Sequence, residues 1–267
     1  MSTEQIPSRP LPVTMVCGCA GAGKSRVIRE LLAERGSGRW ALLLHDRSEH
    51  EWAAVDGTGH AMNIYSLGES LAELMRSCAS CSFREALTDA ILSIAGMRRF
   101  DRLIVECSGL VEATMAAAVF NDAIADEEPL AGLAHLEQLV TVVNAETVWE
   151  GVRSADALGE LGMSGGEDDT RVLSELLVEQ IEHCSLIALN RSEAIDADCR
   201  ERVITLLRYL NPEAEVLLAS DRVEGAARIL APRDGAEYGS SFQPGWARLI
   251  DQAAVPSKPS QEWSTGV

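Results

Sequence analysis

A glycine-rich stretch near the start of the sequence has the residue types that hold phosphate groups. Residues 18–25 read Gly-Cys-Ala-Gly-Ala-Gly-Lys-Ser and fit the pattern G-x-x-x-x-G-K-[ST]. In this pattern the glycines let backbone N–H groups close around phosphate oxygens, the lysine reaches the terminal phosphates and the serine binds Mg²⁺. We predict nucleotide contacts along the whole stretch: Gly18, Cys19, Ala20, Gly21, Ala22, Gly23, Lys24, Ser25 and the following Arg26.

The residues on either side of this stretch support the same prediction. Leu11 to Cys17 is an apolar run typical of a buried strand, and Lys24 to Ala33 has the pattern of a helix whose N-terminus would face the anion. The alternative is a glycine-rich turn without a ligand, which requires neither a strand before it nor a helix after it. The sequence therefore indicates nucleotide binding.

A second motif follows at the end of another hydrophobic run. Residues 103–106 read Leu-Ile-Val-Glu, and Gly109 comes three residues later. In a phosphate-binding protein such an acid can meet Mg²⁺ or its waters, and such a glycine N–H can sense the γ-phosphate. The alternative is an ordinary strand with a solvated acid at its end. Lys24, Mg²⁺ at Ser25 and either Asp46 or Glu106 are the candidates for supporting slow hydrolysis.

The third motif is Asn190-Arg191-Ser192-Glu193, which ends a further apolar run. GTPases recognise guanine with Asn-Lys-x-Asp at this location, where the carboxylate accepts both N–H donors of the base. Here arginine replaces lysine, and the carboxylate of Glu193 is one methylene longer. Arg191 can stack on the base or pair with Glu193. We predict a preference for guanine that is smaller than an intact motif would give.

Seven apolar runs alternate with helical patterns and predict an α/β fold with a doubly wound, mainly parallel sheet covered by helices on both faces. The runs are Thr14–Cys17, Trp40–His45, Met62–Leu67, Arg102–Cys107, Gln138–Asn144, Ser185–Asn190 and Glu215–Ala219. Ligands of such sheets sit at the carboxyl ends of the strands. We expect an N-terminal extension over 1–11, one nucleotide-binding domain over 12–230, and an irregular C-terminal segment over 231–267.

Charge and composition exclude several partner classes. The formal charge of −18 opposes binding to nucleic acid and to anionic lipid heads. No signal-peptide pattern or membrane-spanning apolar run is present, so we expect a cytoplasmic protein without nucleic-acid or membrane partners. The seven cysteines form an odd set, which does not suggest a disulfide framework. Cys17, Cys107 and Cys184 adjoin apolar runs and are expected in the core.

The order of these motifs resembles the CobW/HypB/UreG family of P-loop GTPases, most closely its CobW-like branch. The phosphate loop matches throughout, and residues 106–110, Glu-Cys-Ser-Gly-Leu, match the family's E-x-[ST]-G-L element. Residues 179–181 (Glu-Gln-Ile) and 211–214 (Asn-Pro-Glu-Ala) resemble stretches that flank the guanine motif. Such proteins control the delivery of a transition metal through nucleotide state, so the resemblance implies guanine nucleotide with Mg²⁺, zinc or another transition metal, and a client metalloprotein.

The chain also departs from that family pattern. Where the family has N-E-F-G-E, residues 45–49 read His-Asp-Arg-Ser-Glu, and where it has C-x-C-C, residues 78–81 read Cys-Ala-Ser-Cys. Ala113 stands where proline is usual. Few patterned residues follow the last apolar run, so the C-terminal domain common in the CobW-like branch is expected to be missing. The resemblance is to a shortened and diverged member.

The segment that matches C-x-C-C carries the candidate transition-metal ligands. Thiolates select ions such as Zn²⁺, and a tetrahedral site would take Cys78 and Cys81 together with a group from His45, Asp46, Glu49 or His50. In the alternative interpretation these cysteines are merely packed or solvated, since two thiols are half of a four-thiolate site. A redox role is a third hypothesis for the C-x-x-C pair. This role is disfavoured because the pair is not expected to open a helix after a thioredoxin-type strand.

Three functions from different classes are compatible with the sequence. The first is a GTP-hydrolysing metallochaperone or metal-insertion factor. The second is a non-catalytic nucleotide-binding regulator or scaffold, which the altered switch and guanine motifs favour. The third is a small-molecule P-loop kinase, which predicts a lid with clustered arginines; Arg98 and Arg99 form the only adjacent arginine pair and do not make an obvious lid.

Overall fold

The computed structural model describes residues 9–34, 36–45, 63–67, 79–125, 129–163, 169–219 and 222–231. These residues form a seven-stranded sheet with the order β3-β2-β4-β1-β5-β6-β7. Every described strand pair is parallel. The strands are β1 (Leu11–Cys17), β2 (Trp40–Leu44), β3 (Asn63–Ser66), β4 (Arg102–Glu106), β5 (Ala134–Asn144), β6 (Leu186–Asn190) and β7 (Glu215–Leu218).

The predicted doubly wound α/β sheet is confirmed, and each of the seven predicted runs overlaps one strand. The largest difference is in β5, which begins at Ala134 rather than at Gln138. There His135 is exposed between buried Ala134 and Leu136, so the strand starts with an alternating pattern that an apolar run does not show. β1 begins at Leu11, inside the predicted N-terminal extension. Most of the predicted C-terminal segment lies outside the described residues.

Eight α-helices connect or flank the strands in the described part of the chain. They are α1 (Lys24–Ala33), α2 (Ala79–Gly96), α3 (Ala113–Ala125), α4 (Pro129–Leu133), α5 (Val148–Gly151), α6 (Leu173–Glu182), α7 (Ala197–Leu210) and α8 (Arg222–Ile229). A short 3₁₀ turn covers Ser192–Ala194. None of the described helices is long and apolar enough to cross a membrane.

Helices cover both faces of the sheet, as the apolar character of its strands requires. On α1 the apolar residues fall one turn apart, so that Val27, Ile28, Leu31 and Leu32 are buried on one side of the helix. They join strand residues such as Leu42 and Val140 in one core cluster. The opposite face of the sheet carries a larger cluster that includes Phe83, Leu136 and Ile181.

The strand register places the polar motifs at one edge. Val16 lies beside Glu106, and Asn144 lies beside Asn190. Because all of these strands run in the same direction, their carboxyl ends meet at that edge. The fold thereby brings together the three sequence motifs, which are separated by more than 160 residues from Gly18 to Asn190.

Candidate functional site

The phosphate loop leaves β1 at Cys17 and enters α1 at Lys24. Three of its glycines have positive φ: Gly18 at 133°, Gly21 at 76° and Gly23 at 99°. These angles favour glycine, which pays no steric cost there. A Cβ on Gly18 would also lie 2.4 Å from the carbonyl oxygen of Val142. Both the curvature of the loop and its contact with β5 therefore depend on glycine.

The Lys24 side chain folds into this loop. It is buried, and its Nζ donates hydrogen bonds to the carbonyl oxygens of Gly18 at 2.8 Å and Cys19 at 3.4 Å. Neutral carbonyl oxygens are weaker partners for an ammonium group than phosphate oxygens are. The arrangement suits a lysine that turns toward bound phosphate.

Ser25 and Glu106 meet between the loop and β4. The Ser25 hydroxyl donates to Glu106 Oε1 over 2.7 Å. Ser25 is in the first turn of α1, and Glu106, the last residue of β4, is buried. A hydroxyl and a carboxylate are oxygen ligands of the kind that Mg²⁺ takes together with water and nucleotide phosphates. The donor set therefore fits the predicted Mg²⁺ site.

Gly109 lies against the phosphate loop from the β4 side. A Cβ at this position would be 2.5 Å from the backbone nitrogen of Ala20. Upstream, the Cys107 N–H donates to Val16 O, which continues the contact between the ends of β1 and β4. The backbone of the predicted γ-phosphate sensor is thus packed directly on the loop.

Asn190, at the end of β6, links the third motif to the phosphate loop. Its Nδ2 donates to the carbonyl oxygen of Ala22 at 2.9 Å, and its Oδ1 accepts from the Arg191 N–H at 3.0 Å. A Cβ on Gly23 would lie 2.0 Å from Asn190 Nδ2, so the glycine makes room for the amide. Asn190 is buried and fixes the start of the 190–193 segment relative to the phosphate loop.

Arg191 and Glu193 point to different partners. The Arg191 guanidinium binds Glu146 Oε2 at 3.0 Å, whereas Glu193 Oε1 lies 3.8 Å from Arg26 Nη2. The Glu193 side chain is half-exposed, with 51% of its surface accessible. The sequence allowed Arg191 to pair with Glu193, but in the structure Arg191 pairs with Glu146 instead. The Glu193 carboxylate stays available at the surface beside the loop helix.

A protein-family model described as the CobW/HypB/UreG nucleotide-binding domain matches residues 12–218 of the chain. This chain belongs to the CobW/HypB/UreG family. The matched range contains the phosphate loop, Glu106, Gly109 and Asn190. The resemblance inferred from the motif order is thereby confirmed.

Relatives in this family include proteins with zinc-related names. The chain is 28% identical over 256 residues to "Zinc-regulated GTPase metalloprotein activator 1" of Dictyostelium discoideum, covering 92% of this chain and 53% of the relative. It is 27% identical over 239 residues to "Zinc chaperone CobW" of Sinorhizobium sp, covering 86% of this chain and 64% of the relative. The chain thus spans about half to two thirds of the length of these relatives.

Solved structures of family members also align with the chain. Zn(II)-bound YjiA GTPase from E. coli gives a TM-score of 0.48 at 16% identity, covering 78% of this chain and 57% of YjiA. The hydrogenase maturation factor HypB from Archaeoglobus fulgidus gives 0.43 at 15% identity, covering 91% and 88%. At these scores the alignments add nothing to the fold described above.

The candidate transition-metal ligands of this CobW-family chain fall mostly outside the described residues. Asp46, Glu49, His50 and Cys78 belong to undescribed stretches. For Cys81 only the backbone is described, within α2. This helix begins at Ala79, inside the C-x-x-C stretch, so the expectation that the pair does not open a helix was wrong. Among the residues that the structure describes, no three His, Cys, Asp or Glu side chains gather closely enough to hold a metal ion.

His45 is the one candidate transition-metal ligand whose side chain is described. It is buried directly after β2 and stacks on Phe83, with the ring centroids 4.7 Å apart. Its Nδ1 accepts the Ser108 N–H at 3.2 Å. Because this bond uses the Nδ1 lone pair, the neutral ring carries its proton on Nε2. Binding a metal through this ring would require the bond to Ser108 to break.

Three buried thiols lie near the phosphate loop. Hydrogen bonding with Cys107 and burial raise the pKa of Cys17 well above its ordinary value. Burial raises the pKa of Cys19 to about 11, and the Lys24 ammonium partly opposes that shift. The expected core position of Cys17, Cys107 and Cys184 is confirmed. Cys17 and Cys19 are neutral thiols near pH 7, and neither a metal nor a nucleophilic role follows from their environment.

Sequence reasoning missed a set of polar residues on and before α6. Gln180 is fully buried, and Glu179 and Arg171 make several hydrogen bonds to the segment that follows β4. The resemblance had marked Glu179 and Gln180 as family-like without assigning them a role. The signal available in the sequence was a glutamine on the apolar side of an amphipathic helix pattern. An amide group that is buried in this way must find polar partners.

Proposed function

We propose that the chain is a GTP-binding, slowly GTP-hydrolysing protein of the CobW type that acts in the delivery of a transition metal, with zinc as the first candidate. The observation that carries the nucleotide part is the convergence of three motifs on one loop. Ser25 binds Glu106, Asn190 binds Ala22, and Gly109 packs on Ala20. Each of these contacts joins the phosphate loop to a residue expected to recognise Mg²⁺, the γ-phosphate or the base.

Hydrolysis in this proposal depends on positioning and on charge neutralisation. Lys24 neutralises charge on the β- and γ-phosphates, while Ser25 and Glu106 hold Mg²⁺ with its waters. Asp46 is the second acidic candidate and lies outside the described residues. Bound Mg²⁺ would supply additional positive charge to the transferring phosphoryl group. With no arginine assigned to the γ-phosphate, we expect low intrinsic turnover, as suits a switch.

Guanine selection is assigned to Glu193, with Asn190 holding the segment in place. Guanine presents N1–H and N2–H₂ to a carboxylate, whereas adenine presents an acceptor at N1. A fully buried acceptor left without a donor costs about 1–3 kcal/mol, and because Glu193 is 51% exposed here we expect a smaller penalty against adenine. Arg191 is engaged by Glu146, so the cation that competes with the base for Glu193 is Arg26, at 3.8 Å.

The metal part of the proposal rests on Cys78 and Cys81 and on the names of the relatives. Both the Dictyostelium and the Sinorhizobium proteins carry zinc in their names. Thiolates on a chain segment between the phosphate loop and β4 could couple metal affinity to nucleotide state. A client metalloprotein would then receive the metal in a cytoplasmic setting.

A non-catalytic regulator is the second candidate function. It is favoured by residues 45–49, which depart from the family's N-E-F-G-E, and by the structural use of His45 as an acceptor for Ser108. The kinase hypothesis gains no support from Arg98 and Arg99. They precede β4 and lie at the amino end of the sheet, opposite the phosphate loop, where Arg99 binds Asn63 and Tyr65.

Nucleotide turnover by the purified chain, with and without Zn²⁺, tests the proposal. We expect slow GTP hydrolysis that responds to Zn²⁺, and GTP should outcompete ATP. The Glu193→Ala variant should lose the preference for GTP, while Asp198→Ala, which removes an exposed acid on α7, should keep it. GTP binding without any turnover would favour the regulator, and equal affinities for GTP and ATP in the wild type would contradict the guanine assignment.

A further inference from the structure

The six residues from Gly109 to Thr114, here called the Gly109 segment, connect β4 to α3. Polar contacts fasten this segment to one stretch of chain about 60–70 residues away, at and before α6. The anchoring residues are Arg171, Glu179 and Gln180. Each residue of the Gly109 segment has a backbone or side-chain bond to one of these three. Because all six residues are bonded in this way, the segment is held in place on the side that faces α6.

Gln180 contacts both the Gly109 segment and the phosphate loop. Its Nε2 donates to Val111 O at 2.8 Å and to Gly109 O at 3.4 Å. Its Oε1 accepts from the Cys19 thiol at 3.4 Å. The side chain is 0% exposed, so water cannot replace these partners without a structural change. One amide therefore links the two walls that would enclose the γ-phosphate.

Glu179 holds the other end of the segment. Its carboxylate accepts the N–H groups of Ala113 at 2.7 Å and Thr114 at 2.9 Å, and the Thr114 hydroxyl at 2.6 Å. These N–H groups open α3, where a negative charge is favourable. The carboxylate thus fixes the point at which the segment becomes a helix.

Arg171 anchors the middle of the segment. Its Nη1 donates to the carbonyl oxygen of Leu110 at 3.0 Å and to Glu112 Oε1 at 3.1 Å. Its other guanidinium nitrogens bind the Asp169 carboxylate. The Asp169 side chain is almost fully buried, so the guanidinium is held in place by an ion pair on its far side.

We propose that Arg171, Glu179 and Gln180 are positioning residues that set the Gly109 peptide for discrimination between nucleoside triphosphate and diphosphate. This role rests on the proposed GTP-binding function. Even a Cβ on Gly109 would lie 2.5 Å from the Ala20 nitrogen, so this backbone is close to the loop, and the three residues hold it there. The Gly109 N–H is the predicted contact of the γ-phosphate, which only the triphosphate carries, whereas Lys24 and the loop amides would hold phosphates that both nucleotides share.

The Gln180→Met variant tests this role, because methionine keeps the size and helix preference of the side chain but has no N–H donor. The control is Gln138→Met, which removes an equally buried glutamine on β5 that accepts a hydrogen bond from Ser185 instead. The affinities for GDP and for a non-hydrolysable GTP analogue are measured by calorimetry with Mg²⁺ present. Losing one net hydrogen bond corresponds to a change of up to about tenfold.

In Gln180→Met we expect the ratio of triphosphate affinity to diphosphate affinity to fall about tenfold, while the affinity for GDP changes less than about twofold. In Gln138→Met we expect this ratio to stay the same. Arg171→Lys supplies a second test, because lysine keeps the positive charge beside Asp169 but lacks the guanidinium fork that bonds the segment. An unchanged ratio, or equal losses for both nucleotides, would overturn the positioning role alone. A wild-type chain that binds neither nucleotide would overturn the proposed function and this role with it.

Discussion

The Ser25 hydroxyl and the Glu106 carboxylate are joined by a 2.7 Å hydrogen bond across the boundary between α1 and β4. Because β1 and β4 are neighbours in register, this contact places an oxygen pair directly behind the phosphate loop. Ser25 alone could hold a cation only weakly, since a hydroxyl is neutral. The carboxylate supplies the charge that Mg²⁺ requires.

Replacing Glu106 by glutamine should therefore remove Mg²⁺ dependence while preserving the fold. The amide keeps the size of the side chain and can still accept the Ser25 hydrogen bond. Interactions that involve a charged group contribute about 1.5–3 kcal/mol, so we expect Mg²⁺-supported triphosphate affinity to fall by about 10- to 150-fold. Titration with Mg²⁺ at fixed nucleotide measures this, and Glu201→Gln on the exposed side of α7 is the control. An unaltered Mg²⁺ response would rule out Glu106 as part of the site.

Lys24→Ala should weaken triphosphate binding by a similar factor of about 10–150, because the ammonium neutralises phosphate charge in a protein that is otherwise acidic. In the structure Lys24 interacts only with the Gly18 and Cys19 carbonyl oxygens among its described hydrogen-bond partners. Calorimetric titration is the measurement. Arg208→Ala, which removes an exposed cation on α7, should have no comparable effect. Equal affinities in wild type and Lys24→Ala would contradict phosphate binding by this loop.

Zinc content should depend on both cysteines of the C-x-x-C segment. With two thiolates the site is weaker than a four-thiolate structural zinc, so losing either sulfur should abolish it. The measurement is zinc stoichiometry after dialysis for wild type, Cys78→Ala and Cys81→Ala. Cys199→Ala removes a partly buried thiol elsewhere and should retain the metal. If all four chains carry the same amount of zinc, the two cysteines are not ligands.

The sequence predicted the strands because their burial on both faces leaves a continuous apolar run. The run at residues 103–105 is buried throughout. It also predicted the phosphate loop, because the positive φ angles of Gly18, Gly21 and Gly23 restrict those positions to few residue types. In both cases the structural requirement is local, and residue types along a short stretch report it directly.

The anchoring of the Gly109 segment could not be predicted in the same way. Gln180 and Val111 are 69 residues apart, and nothing in either stretch specifies the other as its partner. The buried ion pair of Arg102 with Glu137 is similar, since neither residue's own stretch of sequence identifies the other as its partner. Contacts of this kind depend on which strands become neighbours, and sequence patterns do not encode that order.

Cys19 should make folding stability decrease above pH 9. Burial raises its pKa to about 11, compared with an ordinary value of 9.0. Below pH 9 the thiol is protonated in both the folded and unfolded chains, so its contribution is fully present. Between about pH 9 and 11 the unfolded chain releases this proton and the folded chain keeps it, so unfolding becomes more favourable by up to about 1.4 kcal/mol per pH unit.

The contribution of the Cys19 thiol to the free energy of unfolding is isolated by comparing wild type with Cys19→Ala in urea unfolding from pH 8 to 10.5. The stability advantage of the wild type over Cys19→Ala should shrink as the pH rises through this window, because only the wild type carries the Cys19 thiol. Cys199→Ala controls for the loss of a cysteine as such. If the free energies of wild type and Cys19→Ala fall in parallel, the thiol is not shielded from water, and its hydrogen bond to Gln180 cannot be the buried link between the phosphate loop and α6.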